Sequence, residues 1–184
     1  MKPFYWALIT ATLTVSSCAS MSPEECMVAD WRQIGLQDGN AGYNNQQLAR
    51  HQKACTKANI TPDFNQYRLG YQEGLKNYCQ PQNVFSLAMQ GRGDINVCPS
   101  QQQTLLAPFY HVPHDYVEAK KEVENQIENL ERIDRRLRDK LSDDERRHYH
   151  SERRSAHLRL RQAEAEYDHQ AYRLRDFQRM HNVY

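Results

Sequence analysis

Ser142-Asp143-Asp144-Glu145 interrupts the longest periodic stretch of the sequence. Before it, Tyr116, Val123, Leu130 and Leu137 recur every seven residues, with Ile127 and Leu141 in a companion position. After it, Tyr149, Ala156, Ala163, Gln170 and Phe177 recur at the same interval, with Leu160, Tyr167 and Leu174 between them. Ser142 and Glu145 have the spacing of a capping box, in which the serine hydroxyl takes the third amide of a new helix and the glutamate reaches back. A fresh helix start inside a heptad pattern predicts a chain that folds back, so residues 115–184 read as an antiparallel coiled-coil hairpin. Folding at Ser142 sets Leu137 against Tyr149, Leu130 against Ala156, Ile127 against Leu160 and Val123 against Ala163, large residues facing small ones. The same register puts Asp134 opposite Arg153 at interior positions, where a matched pair fixes the register and an unpaired charge is costly. The alternative is one unbroken helix that dimerises with a second copy through the seam.

The expected hairpin tip is basic. Arg135, Arg136, Arg138, Arg146 and Arg147 gather there with His148 and His150. They form a candidate contact surface for an anionic glycan, a lipid headgroup or an acidic protein patch. The alternative is a solvated helix end whose field Asp139, Asp143, Asp144 and Glu145 cancel. His148 and His150, two apart, diverge on a helix and make no metal site.

Composition divides the chain. All seven glycines lie between Gly35 and Gly93 and the cysteines Cys26, Cys55, Cys79 and Cys98 lie between 26 and 98, whereas residues 115–184 contain no Gly, Pro or Cys. The expected class is mainly α: a small disulfide-stapled helical domain over 18–99, a linker over 100–114 carrying Pro108 and Pro113, and the hairpin. The linker aromatics either dock on the small domain or stay disordered. Ser22-Pro23-Glu24-Glu25 starts a helix expected to reach Leu36, a second covers Gln46 to Lys57, Asp63 caps a third reaching Tyr78, and 83–90 form a fourth. If Cys26 begins one helix and Cys55 ends its antiparallel neighbour, those ends meet. The expected bridges are therefore Cys26–Cys55 and Cys79–Cys98; a four-thiolate zinc site, lacking any CxxC pair, is the weaker reading.

Within this domain Gly35-Leu36-Gln37-Asp38-Gly39 with Tyr43 is echoed by Gly70-Tyr71-Gln72-Glu73-Gly74 with Tyr78. Glycines at i and i+4 share a helix face and admit another backbone, so the echo predicts two segments packed through glycine notches, with Trp31, Phe64, Tyr67 and Tyr71 around them. The catalytic alternative makes Asp38 and Glu73 an acid–base pair. No nucleophile accompanies them, so no catalytic residue is assigned.

Glu25-Cys26, Asp30-Trp31, Gly35, Asp38-Gly39, Gly42, Cys55, Asp63, Tyr67, Gly70, Gly74-Leu75, Tyr78-Cys79 and Val97-Cys98-Pro99 resemble the pattern of a bacterial lipoprotein family known only as a domain of unknown function, number two-seven-nine-nine. The resemblance spans about residues 22–99. Val84 and Ala88 stand where that pattern leads one to expect glycines. It implies an extracytoplasmic lipoprotein and no activity.

The amino terminus agrees with that address. Lys2 is the only charge in the first 23 residues, and Phe4 to Val15 is mostly apolar. That run is short of the roughly 20 residues that span a bilayer, but it suits a signal peptide over 1–17. Val15-Ser16-Ser17-Cys18 matches a lipoprotein box, making Cys18 the expected lipidation site and the lipid a membrane anchor. Ala19 in the next position implies outer-membrane delivery, the periplasmic face being expected over the surface. Charge is balanced: residues 18–104 hold seven acidic and seven basic side chains, and 105–184 hold sixteen of each. No basic excess marks a nucleic-acid surface. The expected role is a lipid-anchored envelope binding or assembly protein without cofactor, with an envelope protein or glycan as partner; an inhibitor of an envelope enzyme and a glycan hydrolase are the alternatives.

Overall fold

The computed structural model describes residues 20–184; the signal stretch and Cys18 lie outside the described residues. Those residues are helical and contain no strand. The helices are α1 (Pro23–Met27), α2 (Trp31–Asn40), α3 (Gln46–Cys55), α4 (Phe64–Tyr78), α5 (Pro81–Met89), α6 (Ser100–Leu137) and α7 (Asp143–His181). They fall into two compact units, the first from residues up to Ala29 and Asn45–Pro62, the second from Asp30–Asn44 and Asp63–Tyr184.

In the first unit, Ser22 and Glu25 close a capping box on α1. Cys26 and Cys55, both buried, are bridged in the expected pairing, but Cys26 lies in the last turn of the short α1 and not at the start of a long helix antiparallel to α3. His51 is buried as well, its Nδ1 3.1 Å from the Ser20 hydroxyl. The expected first helix to Leu36 is instead two. α1 stops at Met27, and Asp30 starts α2 by accepting the amides of Arg32 and Gln33 at 3.0 Å each. Asp30 is an N-cap that competes with helix continuation.

The second unit is built on α2 and α4, which run parallel in direct backbone contact. A Cβ on Gly35 would lie 2.0 Å from the Tyr67 carbonyl oxygen, and one on Gly70 would lie 1.8 Å from that of Arg32. One turn on, a Cβ on Gly39 would lie 2.3 Å from the Tyr71 oxygen and one on Gly74 would lie 2.4 Å from the Leu36 oxygen. Each glycine rests on the carbonyl three residues before its counterpart, so the contact has local two-fold symmetry. Trp31 and Tyr67 are buried beside it, whereas Phe64, expected in the packing, is 46% exposed. Asp63 caps α4 as expected.

Pro81 does not only end α4; it occupies the first turn of α5, where its missing N–H costs nothing. Cys79 and Cys98 are bridged. Tyr78 holds the intervening loop, its hydroxyl accepting the Asp94 amide at 2.9 Å, and Gly91 and Gly93 turn the chain at positive φ. Val84 and Ala88, where the resemblance led one to expect glycine, are buried on α5.

Residues 100–114 are not a linker. They are the first four turns of α6, which continues through Pro108 and Pro113. Each proline leaves the carbonyl four residues earlier, Thr104 and Phe109, without its amide partner. Packing outweighs that loss. Leu106 and Pro113 are buried, and Phe109 and Tyr110 pack against a core of Leu75, Tyr78, Val84 and Leu106. Phe109 also meets the Phe177 ring edge-on at 5.1 Å, beside Phe85 and Leu174. The expected boundary between stapled domain and hairpin therefore does not exist, because α5, α6 and α7 share one core.

The hairpin itself is present. α7 begins at Asp143 with the Ser142–Glu145 capping box formed, and its seam buries Ala156, Ala163, Gln170, Leu174 and Phe177. The seam is filled within the chain, by α6 and α7 folded back on each other. On α6, however, the companion position is Ala119, Gln126 and Ile133: Ala119 and Ile133 are buried, while Ile127 is 42% exposed. Both spacings, i+3 and i+4, fit a helical stripe, and the helix is rotated toward the first.

Candidate functional site

Asp38 and Glu73 occupy equivalent positions in the symmetric α2–α4 contact and meet equivalent partners in unlike surroundings. Asp38 is buried and accepts the Tyr67 hydroxyl at 2.7 Å. Glu73 lies in solvent, 3.0 Å from Arg32. Burial first, then the Asp38 carboxylate, pushes the Tyr67 hydroxyl well above the ordinary phenol range. Burial also raises Tyr71 and Tyr78. Asp38 thus anchors a core tyrosine while Glu73 makes a surface ion pair.

The capping box positions the tip. Glu145 is held below the usual carboxylate range by the Ser142 hydroxyl and amide. The expected contact residues are largely neutralised by neighbours on their own helix: Arg135 pairs with Glu131 at 3.7 Å, Arg136 with Asp139 at 3.4 Å, Arg147 with Asp144, and His148 with Glu152 at 3.5 Å. Arg146 and His150 are exposed without an ion pair among the described residues. The Asp134–Arg153 pair forms at 2.7 Å, in the predicted register. It is not interior, its side chains being 35% and 45% exposed, because the rotation of α6 moves Asp134 to the rim.

Sequence reasoning missed a groove of about 300 Å³ across α6 and α7, just behind the tip. Arg132 and Arg136 approach from α6, Arg159 and Tyr149 from α7, with Ile133 and Glu152 completing the lining. The Tyr149 oxygen, and after it Asp139, favours the charged form of Arg136. The legible signal is Ala156, a small seam residue followed by Arg159. Its facing partner depends on the rotation of α6.

Among the described residues no group of three or more His, Cys, Asp or Glu is placed to hold a metal ion, and no helix is long and apolar enough to cross a membrane. Residues 30–113 match the family described as Protein of unknown function (DUF2799), the one the sequence resembles. The match begins at Asp30, after Glu25-Cys26, and extends through the first turns of α6. No curated protein and no solved structure matches the chain.

Proposed function

We propose that the protein is a lipid-anchored envelope lipoprotein that works by binding, presenting the α6–α7 hairpin to a protein or glycan partner. The observation that carries this reading is the hairpin's distal part. Beyond the core shared with α5, α6 and α7 pack only on each other. Helices of 38 and 39 residues measure about 57 Å at about 1.5 Å per residue. Toward the tip the buried seam is chiefly Ala119, Ile133, Ala156 and Ala163, which removes little apolar surface from water. Such length adds little to stability and much to reach. The lipoprotein box at Val15-Ser16-Ser17-Cys18 supports the anchor, Ala19 in place of a retaining Asp supports outer-membrane delivery, and two disulfides suit an oxidising compartment.

Two measurements test this. Metabolic palmitate labelling is expected to mark the wild-type chain and not Cys18→Ala; a labelled variant overturns the anchor. Crosslinking in cells from a photoreactive residue at Arg147 is expected to give one saturable adduct. A protein adduct supports assembly or inhibition, a glycan or lipid adduct supports surface binding, and no adduct removes the tip as a contact surface.

A further inference from the structure

We propose that the groove behind the tip is a binding site for a phosphoryl group carried on a small polar ester. The argument begins with a contrast in charge. At the tip, Arg135 and Arg147 are matched by carboxylates four and three residues away. In the groove, Arg132 bonds only a neutral amide, Asn129, at 2.6 Å, and Arg159 has no ion pair among the described residues. Arg136 reaches Asp139 at 3.4 Å and is drawn as well to the Tyr149 oxygen. The one lining carboxylate, Glu152, is engaged with His148. Three guanidiniums against the carboxylates of Glu152 and Asp139 leave a local excess of one positive charge, the sign that a phosphate ester complements.

Geometry narrows the ligand further. Guanidinium forks suit both carboxylates and phosphates. Guanidiniums from both helices and a phenol line one groove, and a phosphoryl group offers them three acceptor oxygens against the two of a carboxylate. The groove holds roughly ten waters at about 30 Å³ each, room for a phosphoryl group and a short carbon chain. Ile133 offers that chain an apolar wall. The site is formed by closure of the hairpin, since Arg132 and Arg159 belong to different helices. It requires no anchor, so it stands or falls separately from the lipidation reading.

The test titrates the purified protein with inorganic phosphate and with glycerol phosphate, following the side-chain Nε–Hε resonances of Arg132, Arg136 and Arg159. Saturable shifts in these three are expected, with glycerol phosphate the tighter probe. Arg132→Gln with Arg159→Gln should weaken binding by about tenfold or more, the loss of two charge-assisted contacts. Arg154→Gln with Arg161→Gln, exposed arginines outside the groove, should leave it unchanged. All variants should keep the helical circular-dichroism spectrum. A parallel arm measures sedimentation with phosphatidylcholine vesicles containing or lacking phosphatidic acid. Vesicle binding that depends on the groove arginines identifies a lipid headgroup as the source, and binding of the soluble probes alone identifies a free phosphate ester. Equal weakening by both arginine pairs, shifts confined to Arg146 and Arg147, or no binding of either soluble probe overturns the proposal.

Discussion

Gly70 shows how far context can reverse an intrinsic preference. In an exposed helix, Gly→Ala stabilises by about 1 kcal/mol. Here the added methyl would lie 1.8 Å from the Arg32 carbonyl oxygen, a backbone atom that can yield only if the helices part. Gly70→Ala should therefore destabilise by about 1–3 kcal/mol in chemical denaturation. Tyr67 makes a second prediction. Tyr67→Phe leaves the buried Asp38 carboxylate without its hydroxyl donor and should cost about 1.5–3 kcal/mol. The pH dependence has a definite sign. The folded phenol titrates above its unfolded value, so its contribution is complete below about pH 10 and fades as pH rises beyond that. Denaturation followed from pH 8 to 11 should show an alkaline loss that is smaller in Tyr67→Phe. An unchanged slope would assign the loss to Tyr71 and Tyr78.

The elements differ in how much of them a sequence can declare. The turn between α6 and α7 was legible because a capping box is local: Ser142 and Glu145 need only each other and nearby amides. The glycine contact was legible because two copies of one pattern exposed it. The continuity of α6 was not, since Pro108 and Pro113 oppose a helix locally and only the distant Phe177 and Leu75 clusters reward one. Nor was the rotation that buries Ile133 and frees Ile127, and with it the groove, because i+3 and i+4 stripes differ only against a partner surface. The Asp134–Arg153 pair measures the consequence. Arg153→Glu should destabilise the hairpin, and adding Asp134→Arg should restore most of the loss. The coupling between the two sites should be below about 1 kcal/mol because both side chains are part-exposed. A coupling of several kcal/mol would return the pair to the interior of the seam.

Across the whole molecule the two units rest on different kinds of support. The second has an extended core running from Leu75 through Phe85 to Phe177. In the first, the buried residues among those described are Cys26, Cys55, His51 and Pro62. A core that small relies on its bridge for about 2–4 kcal/mol. Under graded reduction, proteolysis should first cut within residues 45–62, while α6 and α7 remain intact. First cleavage in α7 would reverse that ranking. The symmetric meeting of α2 and α4 has another consequence. It is a dimer interface folded into one chain. Two free helices joined chiefly through glycines and carbonyls would part on dilution, because such a contact hides little apolar surface. The covalent tether between Asn40 and Phe64 sets their effective concentration independently of the solution. Dilution therefore leaves the contact whole, and a cut in the tether with the Cys26–Cys55 bridge reduced would make its strength depend on concentration.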